Sequence, residues 1–380
     1  MFLYNISRNR LWIIDSISGF IFYSSSFDFD TGAVAFLGNI LVIFIFFKTR
    51  LYRRPVNWFI LNLATSDLIV SFVGHPLSAI SAFRKEWLFG LHGCYVYGFI
   101  CYTCACNSIM THALVSYFRY VVVCKQRFVA KVSLSVVMKT LLFIWTYSLF
   151  WTVTPLIGWS SYAPEPYNVT CSIAWYGQTP ADTSYVWLCF IFVLGVPLAI
   201  MVYSYMAIHR HTVKMTEITY NVALPANISS RYLLDLERSV TRICLFMAVV
   251  FLITWSPYAI VSLIFALGYE FYNPAVLLPT LFAKLSCAYN PFIYCYTHDK
   301  FRETLKSVFT SSSSKNAVGV AKNEELSSSR PGPSGINTKK PNRINAATFK
   351  AKSVDSERTN SLAGRSKGPE ESVEMTSVQQ

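Results

Sequence analysis

Leu281-Phe282-Ala283-Lys284-Leu285-Ser286-Cys287-Ala288-Tyr289-Asn290-Pro291-Phe292-Ile293-Tyr294 is an almost wholly apolar run with one lysine inside it. No other lysine or arginine occurs between Arg242 and Lys300. The run starts near Asn273, so Lys284 lies about ten residues in. At 1.5 Å per residue that is roughly 15 Å, half of a ~30 Å hydrocarbon core. An ionisable side chain at that depth is expensive and marks a functional site with a partner. A lysine held away from water is also a residue type that forms Schiff bases with carbonyl compounds. The bland alternative, a lysine snorkelling to the surface, is disfavoured by the central depth.

The rest of the chain has the same texture. Of 380 residues, 53% are hydrophobic and 14% charged, against about 25% charged in soluble domains. Long apolar blocks without alternation indicate an all-α membrane protein. The net charge of +13 is uneven, with no Lys or Arg from Thr140 to His209 or from Ile243 to Ala283. Basic residues gather in short segments, as the positive-inside rule expects of cytoplasmic loops. They flank spans and form no interleaved aromatic face, so no nucleic-acid partner is indicated. No cleavable signal peptide is evident. The ten cysteines form no dense framework and no pair of C-x-x-C pairs, and most fall inside apolar spans.

Seven spans are expected, at about 21–47, 56–83, 91–122, 136–158, 183–208, 238–267 and 273–296. The first is the weakest, because Asp28 and Asp30 fall in its outer half. Lys48 to Arg54 is a compact basic loop, which puts the N-terminal segment, 1–20, outside and the C-terminus inside. The bundle then occupies 21–297 of a multi-pass protein in the lipid bilayer of the plasma membrane. Within 298–309, Phe301, Leu305, Val308 and Phe309 share one face, the pattern of an amphipathic helix on the inner surface. From 310 to 380 the chain has one aromatic and abundant Ser, Pro, Gly and Lys, too little apolar area to fold, so a disordered tail is expected. Its Ser/Thr clusters, such as Ser311 to Ser314, are either sites that a receptor kinase phosphorylates for arrestin-like proteins to bind or, equally, parts of a plain solvated tail. Sequons stand at Asn5, Asn168 and Asn227, the last on the inner side.

The motifs Gly38-Asn39, Leu63-Ala64-x-x-Asp67, Arg119-Tyr120, Trp145, Trp255-x-Pro257 and Asn290-Pro291-x-x-Tyr294, with Lys284 seven residues before Pro291, resemble the opsins among rhodopsin-like G-protein-coupled receptors. Trp151-Thr152-x-x-Pro155-Leu156-x-Gly158, Pro164-Glu165-Pro166-Tyr167 and Pro279-Thr280-Leu281-x-Ala283-Lys284 look like the neuropsin type. The resemblance covers about residues 30–309. It implies retinal, 11-cis or all-trans, as a Schiff base on Lys284, and coupling to a heterotrimeric G protein, inhibitory by the neuropsin likeness. It implies a disulfide between Cys94 and Cys171.

A protonated Schiff base is a buried cation and needs a carboxylate. Opsins place one either a turn below the disulfide cysteine of span 3, here Tyr97, or six residues before the loop cysteine, here Glu165. The expected counterion is therefore Glu165, directly or through water, with Tyr97 donating a hydrogen bond. An ordinary solvated loop glutamate is the alternative. His75, two turns above Asp67 in span 2, is either a titratable neighbour of the Schiff base or a histidine bonded to a backbone carbonyl beside Pro76. Trp255, Tyr258, Phe251, Trp175 and Tyr176 are candidate pocket walls, though each alone is more often plain packing. Asp67 is expected in the sodium-and-water cluster of such receptors. Asn168 sits where the loop should fold inward, which would block its sequon and leave Asn5 as the better glycan site.

The activation residues by resemblance are Arg119, Tyr120, Glu237, Tyr205, Asn290 and Tyr294. Phe118 replaces the family's acidic residue before Arg119 and removes one ion pair, so a weaker inactive-state lock is expected, with Glu237 still able to pair with Arg119. The resulting reading is a bistable light-sensing receptor and not an enzyme, with no catalytic or metal-ligating residues. A retinal photoisomerase and a receptor for a diffusible ligand are its rivals.

Overall fold

The computed structural model describes residues 2–125, 132–175, 179–222, 228–269, 277–297 and 301–307, with the side chains of 2–18, 20, 216–222, 228–239 and 297 left out. Helix α1 is continuous over Phe2–Lys48, longer than the span expected from 21. Its membrane-length part is Ile21–Lys48. Helix α2 (Trp58–Ile69) passes through a π-helical turn, Val70–Gly74, into α3 (His75–Arg84). Pro76 lacks an N–H to continue the ladder, and the wide turn just before it rotates α3 relative to α2. Helix α4 spans Gly90–Cys124 and α5 spans Leu134–Val153.

A 3-10 turn, Thr154–Ile157, carries Pro155 in its first positions and ends at Gly158 with φ 99°, a left-handed conformation suited to glycine. Strands β1 (Tyr162–Pro164) and β2 (Cys171–Ile173) then pair antiparallel, Tyr162 opposite Ile173. Helix α6 (Pro180–Leu188) starts with a capping box between Thr179 and Asp182. It runs through a second π-helical turn, Cys189–Gly195, into α7 (Val196–Val222), with Pro197 just beyond that turn. Helix α8 (Ile228–Ala266) contains Pro257, and α9 (Leu277–Thr297) contains Pro291.

Among the described residues, six helical stretches are long and apolar enough to cross a membrane. The seventh, α9, is less apolar because Lys284, Ser286, Asn290 and its tyrosines are there. The helices are apolar on the outside: Phe22, Tyr23, Phe29, Leu37 and Phe47 of α1 are exposed. Its buried stripe is Ser24, Ser25, Asp28, Thr31, Ala35, Asn39 and Val42, at helical spacing. A lipid-facing exterior over a polar inner stripe is the arrangement a bilayer demands. Asn39 ties α1 to α9, donating to the Ala35 and Cys287 carbonyls at 2.8 and 2.9 Å. Beyond the C-terminal end of α9, residues 301–307 are helical, and buried Phe301 packs on Tyr294 at 6.2 Å. Val308, Phe309 and the expected tail, 310–380, lie outside the described residues.

Candidate functional site

Helices α4, α8 and α9, the turn after α6 and the β-hairpin line a cavity. Tyr97, Trp175, Phe190, Phe251, Trp255 and Tyr258 give it aromatic walls, and Glu165 and Lys284 line it as well. Trp255 lies 5.8 Å from Phe251 and 6.0 Å from Tyr258 by ring centroids. Phe251 stacks in turn on the buried imidazole of His112 at 4.6 Å. Four of the five expected wall residues therefore meet on one cavity, and Tyr176 lies outside the described residues.

The hairpin is the lid. A disulfide joins Cys94 at the start of α4 to Cys171 of β2, with Cα atoms 5.4 Å apart. Tyr162 of β1 donates to the Thr152 carbonyl at 2.8 Å, and burial pushes its phenol upward. In the hairpin turn, Tyr167 and Asn168 have φ of 71° and 55°. Asn168 is exposed, which corrects the expectation that the inward fold of the loop would cover it. The inward part is Val169 and Thr170, both buried, and Thr170 of the sequon donates to Glu165 Oε2 at 2.6 Å. The side chain of Asn5 is outside the description.

Glu165 is no ordinary solvated loop residue. Its carboxylate accepts from Tyr258 at 2.8 Å, Thr170 at 2.6 Å and Thr280 at 3.2 Å. Trp175 Nε1 donates to the same Tyr258 hydroxyl at 3.2 Å. Among the described residues Glu165 has no ion pair. The Lys284 amine goes elsewhere, to Asp28 Oδ2 at 2.8 Å and Ser78 Oγ at 2.7 Å. Glu165, the counterion expected directly or through water, makes no direct contact with that nitrogen in this structure. Lys284 Nζ reaches toward α1, whereas Glu165 is held by hydroxyls on the lid side.

Sequence reasoning missed Asp28 and Ser78. The signal existed: a carboxylate in an apolar span is the same kind of anomaly as Lys284. Asp28 is 1% exposed, and Asp30 faces outward. Ser78 donates to Asp28 Oδ2 at 2.8 Å. His75 Nδ1 lies 3.1 Å from the Asp28 backbone carbonyl. A carbonyl only accepts, so Nδ1 carries the hydrogen. His75 thus meets a backbone carbonyl of α1 and lies beside the Asp28 side chain that holds Lys284. Tyr97 is buried beside Ser78.

Toward the Arg119 end of the bundle, Asn290 donates to Asp67 at 2.8 Å. Tyr294 is buried, and Tyr120 packs on Tyr203 at 5.6 Å. Arg119 and Tyr205 are half-buried. Phe118 is buried against Phe59 at 5.3 Å, in a cluster with Val137, Leu141 and Ile144. The side chain of Glu237 is outside the description, so its pairing with Arg119 is as well.

Comparison with known proteins gives consistent likenesses. The family described as 7 transmembrane receptor (rhodopsin family) matches residues 38–294. "Rhodopsin, G0-coupled" from Mizuhopecten yessoensis is 41% identical over 288 residues, covering 76% of this chain and 72% of that one. "Melanopsin-B" from Gadus morhua is 34% identical over 282 residues, covering 72% of this chain but only 46% of its own length. Among solved structures, squid rhodopsin superposes with a TM-score of 0.72 at 32% identity, over 77% of this chain and 86% of that one.

Proposed function

This chain belongs to the rhodopsin family of seven-transmembrane receptors, as an opsin, and from that premise we propose that it senses light with retinal on Lys284 and signals through a G protein. The observation that carries the reading is one amine, on Lys284, in the wall of an aromatic, apolar cavity. The donor set fits the group: aromatic walls suit a polyene, and a lysine nitrogen is the atom an aldehyde condenses with, losing water. Retinal, when bound, supplies the absorption of light and a double bond whose isomerisation changes its shape.

The protein's part is to bind, orient and transmit. Phe251, Trp255 and Tyr258 on α8 pack along the cavity, so a change of shape there presses on the helix that carries Pro257. Proline interrupts the helical ladder, and such breaks are where helices bend. Movement of the inner half of α8 would open a cleft beside Arg119 and Tyr120, with Tyr205 and Tyr294 stabilising the open form. Glu165 acts as the lid-side carboxylate of the cavity, its charge spread over three hydroxyl donors, and Tyr97 supports the lysine end. We further propose a photoproduct that keeps its retinal, an extracellular N-terminus, a plasma-membrane location, and arrestin and receptor kinase as partners of the tail. The name of the M. yessoensis relative favours testing a G0-type G protein first, within the inhibitory class.

The test is to express the chain with 11-cis retinal, record spectra before and after ultraviolet and visible light, and assay G-protein activation in parallel. A light-dependent band together with light-dependent activation supports the reading. A band with isomerised retinal released but no activation supports a photoisomerase instead, and no band supports a diffusible ligand. Glu165→Gln should alter the spectrum or its pH dependence if Glu165 acts on the chromophore.

A further inference from the structure

We propose that Asp28, on the first helix, is the anionic partner that holds the Lys284 nitrogen, and that Ser78 positions the pair. The spectral arm of the test rests on the reading that Lys284 carries retinal, and the other arm does not.

Three groups close a triangle. Lys284 Nζ lies 2.8 Å from Asp28 Oδ2 and 2.7 Å from Ser78 Oγ, and Ser78 Oγ lies 2.8 Å from the same Asp28 oxygen. All are deep in the bundle, with relative exposures of 1% for Asp28, 0% for Ser78 and 9% for Lys284. In a low-dielectric setting such a short ion pair is not screened by salt, and either charge alone would be strongly unfavourable. Among the described residues, the remaining neighbours do not supply a competing charge. His75 is held by the Asp28 backbone carbonyl, with Nδ1 3.8 Å from Oδ1. Among the described residues Asp28 Oδ1 itself accepts no hydrogen bond, so the carboxylate has acceptor capacity left for a nitrogen that changes its direction of approach. Glu165 is committed to Tyr258, Thr170 and Thr280.

The backbone is arranged to permit this contact. A Cβ on Gly32, one turn along α1 from Asp28, would meet His75 Cβ at 2.6 Å. Only a glycine there lets α1 come close enough to α3 for the Asp28 carboxylate to reach Ser78. Ser25, one turn in the other direction, donates to the Ala79 carbonyl at 2.8 Å and fixes the same approach. The carboxylate thus comes from α1, not from α4 or the lid.

Two readouts on the full chain in lipid nanodiscs test the pair. Without retinal, thermal melts of the wild type, Asp28→Asn, Lys284→Ala and the double variant form a cycle. A genuine pair predicts that each single variant melts lower and that the double variant recovers part of the loss, because no buried charge is left alone. Additive losses overturn the proposal. Should Asp28→Asn fail to accumulate, recovery of expression on adding Lys284→Ala supports the pair, and no recovery overturns it. With 11-cis retinal, the wild type should show a visible band that moves toward the ultraviolet in Asp28→Asn and returns in Asp28→Glu, while Ser78→Ala gives a smaller shift. A band unmoved in Asp28→Asn but displaced in Glu165→Gln overturns the proposal and leaves retinal on Lys284 intact. No band in the wild type overturns the retinal reading, and the melting cycle alone then decides the pair.

Discussion

Gly32→Ala isolates the packing that brings α1 against the lysine site. The added methyl would stand 2.6 Å from His75 Cβ, whereas carbon pairs rest at about 3.5–4.0 Å. The contact is therefore about 1 Å too short. His75 Cβ is fixed to the α3 backbone, and the residue is 1% exposed, so no side-chain rotation relieves the clash and the helices must part. Overpacking of this kind costs about 1–3 kcal/mol, and a clash between two backbone-anchored atoms belongs at the upper end. Replacing a helical glycine by alanine returns about 1 kcal/mol through propensity. The net is a loss of about 2 kcal/mol, close to thirtyfold in the folding equilibrium. Gly19→Ala is the control, since nothing lies within 4 Å of its Cβ position and only the favourable propensity of about 1 kcal/mol remains. Thermal melts at one scan rate, read with a thiol dye that reports exposure of buried Cys104, Cys106 and Cys287, should rank Gly19→Ala at or above wild type and Gly32→Ala several degrees below. A Gly32→Ala protein as stable as wild type would refute the close approach of α1 and α3.

Three other outcomes follow from the geometry. Cys171→Ser opens a cross-link spanning 77 residues, worth up to about 4 kcal/mol on loop entropy, and should lower the melting temperature of untreated protein while abolishing its response to reductant. Tyr258→Phe removes one of the three hydroxyls on Glu165, a charge-assisted bond of about 1.5–3 kcal/mol, and should destabilise more than Tyr269→Phe, whose side chain is exposed. Phe118→Asp places a carboxylate in the Phe59, Val137, Leu141 cluster, so it should lose stability in melts. Any lower dark signalling in a G-protein assay would support the missing ion pair beside Arg119, and equal dark signalling would count against it.

The bundle was legible because lipid enforces it: long apolar blocks and clustered basic residues can be read without tertiary information. The bends were partly legible, since Pro76, Pro197, Pro257 and Pro291 are visible, but proline does not reveal that the chain answers with a π-helical turn before Pro76 and Pro197 and none in the other two helices. At the site, Lys284 and the aromatic walls stood out by residue type, and the Cys94–Cys171 bond by resemblance. Its ion partner did not. Asp28 looked like an awkward feature of a weak first span, because which carboxylate meets a given lysine depends on how closely two helices approach. Here that distance is set by a glycine, which carries no side chain to announce a contact. The exposure of Asn168 was missed for a related reason: the loop does turn inward, but at Val169 and Thr170, one residue further along.

Attachment of the chromophore to Lys284 is tested most directly by borohydride reduction of the retinal-loaded full chain, followed by proteolysis and mass spectrometry. The account predicts a retinyl adduct on the peptide containing Lys284, lost in Lys284→Ala. An adduct on another lysine, or a wild-type protein that shows its absorbance band yet yields no adduct at Lys284, would contradict it.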